Sequence, residues 1–152
     1  MKVLGVGKGP RVAAAASPVG ILIVAHGTFG EALIHCASHT LGRRPLGVAQ
    51  LGVTVHDDPD ALLPQARALV AGLDKGSGVL VLSDIFGATP ANLATRLLEP
   101  GRVEGLAGVS LPMLIRALTY RHEPLDKVIA KARSGGIEGV TRLGKEKVDA
   151  AA

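Results

Sequence analysis

The sequence predicts an α/β fold: an open doubly wound sheet of four parallel strands with helices on both faces, plus a C-terminal fifth edge strand. Three observations predict it. Residues 20–25 form a short, wholly apolar run, the mark of a strand covered on both faces, and further strands are read within 46–55, at 78–83 and at 103–110. Segments of helical period lie between them, and this alternation implies parallel strands joined by right-handed crossovers. Glycine is abundant, at 20 of 152 residues, which suits many tight strand-to-helix turns.

The elements follow in order. Residues 28–41 read as a helix with Ala32, Leu33, Cys36 and Ala37 on its apolar side, Glu31, His35 and His39 opposite, and Gly42 as its stop. Asp57, Asp58, Pro59 and Asp60 start a second helix that runs to about residue 73, with carboxylates near the positive end of its dipole. Pro64 suits that helix only within its first turn. Thr89 reads as a cap and Pro90 as the first residue of a helix to about residue 98. Pro112 opens another helix, to about residue 120. A last helix spans about 124–134, Gly135-Gly136 ends it, and 137–143 form the fifth strand. Residues 1–19 read as an N-terminal extension, 20–143 as one domain and 144–152 as a tail.

Composition narrows the function. The formal charge of +4 sits in the ends: residues 1–19 carry +3, residues 125–152 carry +2, and residues 20–124 carry −1. Aromatics are only 2%, so the basic stripe with interleaved aromatics that marks nucleic-acid binding is absent. The single cysteine, Cys36, fits a reducing compartment and reads as a small buried hydrophobe. No apolar run approaches the ~20 residues of a membrane span. Lys8, Pro10 and Arg11 interrupt any signal-peptide centre, so a cytoplasmic location without membrane insertion is expected.

In open parallel sheets, sites form beyond the carboxyl ends of the strands, at the switch point. That directs attention to His26, His56, Asp84 and Leu111-Pro112. His26 sits next to a helix start, where amides hold phosphate oxygens, and Gly27-Thr28-Phe29-Gly30 allows close backbone approach. A neutral imidazole nitrogen is a good nucleophile toward phosphorus. Asp84, after the third strand, is placed to fix the His26 tautomer and offset charge on the ring. Gly87, Ala88 and Thr89 add a glycine turn and free amides at a helix start. Gly27, Thr28, Gly87, Ala88 and Thr89 are therefore the expected phosphate-binding residues, with His26 and Asp84 catalytic. No metal or cofactor is expected.

His26-Gly27 after an apolar strand, Asp84 followed by Thr89-Pro90-Ala91-Asn92, and Gly108-Val109-Ser110-Leu111-Pro112-Met113 together resemble the three motifs of mannose/fructose/sorbose-family IIA domains of the sugar phosphotransferase system (PTS). The likeness covers about residues 20–143. It implies that His26 is phosphorylated with Asp84 as partner, and that Thr89 stands where the family carries a hydroxyl residue. It also implies a four-stranded parallel sheet, a fifth strand exchanged across a homodimer, and phosphoryl transfer from the phosphocarrier HPr to a IIB domain. No IIB domain follows in this sequence, so a separate IIB protein or a regulatory target is the expected acceptor.

Competing readings differ at identifiable residues. A receiver-like domain phosphorylated on Asp84 needs an acidic pair after the first strand, where Ala25-His26 stand. A nucleotide-binding module built on Gly5-Val6-Gly7-Lys8-Gly9-Pro10 lacks the required glycine spacing. A dihydroxyacetone-kinase phosphoryl donor differs in its histidine segment from His26-Gly27-Thr28-Phe29-Gly30-Glu31. His35 and His39 have metal-ligand spacing on a helix, but no third ligand is evident and a solvated face with Glu31 is expected. His56 would border the site; His122 carries no signal.

Overall fold

The computed structural model describes residues 17–144; residues 1–16 of the expected extension and 145–152 of the expected tail lie outside the described residues. The elements run β1 (Gly20–His26), α1 (Phe29–Leu41), β2 (Val48–Val53), α2 (Pro59–Leu73), β3 (Val79–Ser83), α3 (Thr89–Thr95), β4 (Val103–Ala107), α4 (Leu111–Tyr120) and α5 (Leu125–Glu138). All four strands are parallel, in the order β2-β1-β3-β4.

The two-residue period of β1 explains the layering. Ile21, Ile23 and Ala25 point into a core shared with α1, α4 and α5, while Leu22 and Val24 point into a second core shared with α2 and α3. Ile21, Leu22, Ile23 and Val24 are fully buried, and each such side chain contributes about 1.5–3 kcal/mol on leaving water. Val19, assigned above to the extension, is also fully buried and donates its N–H to the Arg121 carbonyl. The buried Arg121 guanidinium returns hydrogen bonds to the carbonyls of Val19, Leu46 and Gly47, tying together the amino ends of β1 and β2. That tether lies at the opposite end of the sheet from His26.

Several expectations are corrected. The buried stripe of α1 is Gly30, Leu33, Ile34 and Ala37, at i, i+3, i+4 and i+7, so Ala32 and Cys36 face outward and Cys36 is exposed. Helix α2 runs through Pro64 in its second turn. Pro64 is exposed, so water can reach the Asp60 carbonyl that it leaves unpaired, while buried Leu63 and Ala66 hold the helix to the sheet. Thr89 does not cap α3: Ala88 is the cap, without a side-chain hydrogen bond, and Thr89 is the first helical residue. The cap of α4 is Ser110, whose Oγ accepts from the Met113 N–H.

The largest difference is at the C-terminal end. Gly135-Gly136 does not end α5, which continues to Glu138. These glycines are packing residues: a Cβ on Gly135 would lie 2.9 Å from the Arg116 Cβ, and one on Gly136 would lie 2.7 Å from the Met113 Cε. Helix α5 approaches α4 closely because nothing projects there. Ile137 is thus helical, and residues 139–143 pair with no strand among the described residues.

Two glycine substitutions separate packing from propensity. Gly72→Ala on α2 meets open space and should stabilise by about 0.5–1 kcal/mol, since alanine is the better helix former. Gly135→Ala carries the same propensity gain but forces α4 and α5 apart, and should destabilise by roughly 1–2 kcal/mol net. Urea unfolding of the two variants checks both signs.

Candidate functional site

The strand order reverses between β1 and β3, so the crevice at their carboxyl ends is the switch point. His26 is the last residue of β1, and Asp84 follows β3 directly. The sheet register pairs Val24 with Ser83, which brings the two ends level. Asp84 Oδ2 accepts from the His26 backbone N–H at 3.0 Å and from the His26 ring Nδ1 at 2.7 Å. Asp84 Oδ1 accepts from the Ile85 N–H at 3.0 Å. The carboxylate is largely sheltered, at 11% exposure, while the imidazole is half open, at 49%.

This geometry assigns the ring protons. Burial acts to raise the Asp84 pKa, but the His26 N–H, the His26 ring and the Ile85 N–H outweigh it and hold the carboxyl below its ordinary value. An ionised carboxylate only accepts hydrogen bonds. Nδ1 of His26 therefore carries the proton, and the lone pair of the neutral ring is on Nε2. The same contacts occupy Asp84: both its oxygens hold N–H donors.

Backbone geometry fixes both partners. Gly27 turns the chain with φ +52°, a left-handed conformation that favours glycine, and its N–H donates to Val53 O at 3.0 Å. Gly52 on β2 lies so close that an added Cβ would sit 2.2 Å from the Gly27 carbonyl oxygen. On the other side, the loop after β4 bonds back to β3: Gly108 N–H donates to Asp84 O at 3.1 Å, and Val109 N–H donates to Ser83 O at 2.9 Å.

The expected phosphate cradle divides under this scrutiny. The amide of Gly27 is committed to β2, and that of Ala88 donates to Ile85 O at 3.3 Å. These two residues shape turns. Thr28 caps α1 without a side-chain bond, so the amides of Phe29, Gly30 and Glu31 lack intrahelical partners. Gly87, at φ +84°, and Thr89 lie at the start of α3 and are exposed. His56 is exposed in the turn after β2 and makes no hydrogen bond with His26 or Asp84. Leu111-Pro112 opens α4, with Leu111 packed against the α1/α4/α5 core.

Sequence reading missed Gly52, and it missed an apolar rim. Phe29 (41% exposed), Ile85 (59%), Phe86 (89%) and Val55 (93%) all follow strand ends at the same edge of the sheet as His26. A signal was present: both phenylalanines of the chain, which has only one further aromatic of their class, lie beside the His26 and Asp84 motifs. Among the described residues, no group of three or more His, Cys, Asp or Glu is placed to hold a metal ion.

Fold and site together define a doubly wound α/β protein with a solvent-open histidine oriented by a sheltered carboxylate at its switch point. The family model described as the PTS system fructose IIA component matches residues 20–132, and the chain belongs to that family, a IIA component of the mannose type. The family places it among the phosphotransfer proteins of the sugar phosphotransferase system. It is similar to the mannose-specific EIIAB components of Escherichia coli K12 and of Shigella flexneri, at 33% identity over 137 residues, or 88% of this chain and 42% of each relative. The chain thus spans less than half the length of these curated relatives. Two solved structures share its fold. One is a PTS component EIIA from Streptococcus agalactiae (TM-score 0.72, 24% identity, covering 82% of this chain and 96% of that one). The other is a mannose/sorbose specific IIA subunit from Enterococcus faecalis (TM-score 0.74, 22% identity, covering 87% and 99%).

Two measurements probe the site. Gly52→Ala should displace the Gly27 turn and cost roughly 1–3 kcal/mol, read by urea unfolding, because backbone rather than a flexible side chain blocks the added methyl. Asp84 also imparts a pH dependence. Its folded-state pKa lies below the unfolded one, so its ionised form contributes stability that is complete above the ordinary aspartate range and is lost as pH falls through the depressed value. Unfolding free energy measured from neutral pH down to about pH 2 should fall more steeply in wild type than in Asp84→Asn.

Proposed function

We propose that this chain carries a phosphoryl group on His26 Nε2, accepting it from HPr and passing it to a separate IIB protein or using it as a regulatory signal. The observation that carries the reading is the 2.7 Å contact of Asp84 with Nδ1, which leaves Nε2 as the open nucleophile on a half-exposed ring. Transfer is in line. The Nε2 lone pair forms a new N–P bond as the N–P bond of the donor phosphohistidine breaks, and the donor ring keeps the released electron pair. The His26 ring gains imidazolium character, and the Asp84 carboxylate at Nδ1 offsets it. Imidazole is itself the leaving group in the onward step, so no metal is required.

The phosphoryl oxygens are held by donors at the helix starts. Phe29, Gly30 and Glu31 amides offer them on α1, with Thr28 beside them; Gly87 and the Thr89 amide and hydroxyl offer them on α3. Gly27 and Ala88 serve by setting the turns. The apolar rim of Phe29, Val55, Ile85 and Phe86 gives a partner protein a dry contact around the reacting nitrogens.

A homodimer with an exchanged C-terminal segment suits the exposed apolar side chains Ile137, Val140 and Leu143, at 64%, 86% and 93%, and the open edge of β4. A cytoplasmic location suits a partner of HPr, and no described helix is long and apolar enough to cross a membrane.

Incubation with labelled phosphoenolpyruvate, enzyme I and HPr tests the reading. Wild type should take up label and His26→Ala should take up none. Asp84→Asn should label at least about tenfold more slowly while remaining folded, since an oriented base or charge partner is typically worth that much or more. Equal labelling of wild type and His26→Ala would remove His26 from the function.

A further inference from the structure

We propose that His35 and His39 form a two-imidazole chelate for a divalent first-row transition metal ion on the outer face of α1. The two residues are one helical turn apart and both are exposed. Their Nε2 atoms lie 3.2 Å apart, with ring centroids at 4.7 Å and ring planes at 85°. Metal–imidazole bonds are about 2.0–2.1 Å, so donors at this separation subtend roughly 100–106° at a shared ion, close to tetrahedral. Sequence spacing alone favoured a solvated face. The side-chain geometry changes that, because it brings the same nitrogen of both rings to within chelating distance instead of letting them diverge into water.

The surroundings suit an open site. The pair borders a shallow cleft of about 250 Å³ lined by His35, Ser38, His39, Gly42, Arg43 and Arg44, which leaves room for water or an exogenous ligand on the ion. Ser38 donates its hydroxyl to the Ile34 carbonyl at 2.7 Å. The Arg44 guanidinium, which would repel a cation, is neutralised by Glu31 at 2.8 and 3.3 Å. Arg43 favours an anion on the ion's free positions. In the metal-free protein, one Nε2–H donates to the other Nε2. Metal binding needs both Nε2 lone pairs, so that proton moves through solvent to Nδ1 of its own ring, and neutral rings release no net proton. An ion here crosslinks the last turns of the helix whose first turn follows His26, and neither ligand belongs to the phosphotransfer machinery.

The test is isothermal titration of the tag-free full chain with Ni²⁺ and Zn²⁺ at neutral pH, with thermal unfolding read in parallel. Wild type should bind one ion per chain and gain thermal stability with ion concentration. His35→Gln and His39→Gln should each weaken binding at least tenfold, Cys36→Ser should bind as wild type does, and all three should label at His26 at the wild-type rate. An absence of binding by wild type, or equal binding by wild type and the His35→Gln/His39→Gln double variant, would overturn the proposal.

Discussion

The site depends on one contact across the middle of the sheet, between the Asp84 carboxylate and both the backbone and the ring of His26. It joins the ends of the two central strands at the point where the strand order reverses. A carboxylate in that crevice is costly to bury unless donors meet it. Three N–H groups do so, and two of them belong to His26. The interaction that keeps the carboxylate ionised is therefore the one that sets the imidazole tautomer. The stability of the strand ends and the tautomer of the ring rest on the same atoms.

The rest of the fold serves this contact. The buried residues of β1 anchor its strand in two cores, so its end has little freedom. Gly52 lets the Gly27 turn approach β2, and the amides of Gly108 and Val109 hold the segment that carries Asp84. The three sequence motifs thus meet through hydrogen bonds at the carboxyl ends of β1 and β3. The Gly108 motif acts through backbone hydrogen bonds, without presenting a side chain to His26.

Much of this was legible in the sequence. Apolar runs located β1 and β3 because a strand covered on both faces leaves few polar positions, while β2 and β4 carry Gln50 and Glu104 and were legible through the alternation of strands with helices. His26 and Asp84 stood out because each ends such a run. What was hidden depends on approach distances that periodicity does not encode. Gly135-Gly136 has the composition of a stop signal, yet close packing on Arg116 and Met113 makes it part of a helix. Cys36 sat one position off the buried stripe, because Gly30 and Ile34 define that stripe. Amides open to solvent could not be told from amides bonded within the fold: the N–H of Gly27 donates to Val53 and that of Ala88 to Ile85. Pro64 shows packing overriding a local rule, since Leu63 and Ala66 keep their helix intact around it.

Asp84 holds the proton of neutral His26 on Nδ1 and leaves the ring lone pair on Nε2. Long-range proton–nitrogen correlation NMR of the neutral His26 ring reads this proton placement. The account predicts a protonated Nδ1 and an unprotonated Nε2 in wild type, with that preference lost in Asp84→Asn. A wild-type ring protonated on Nε2 would contradict it.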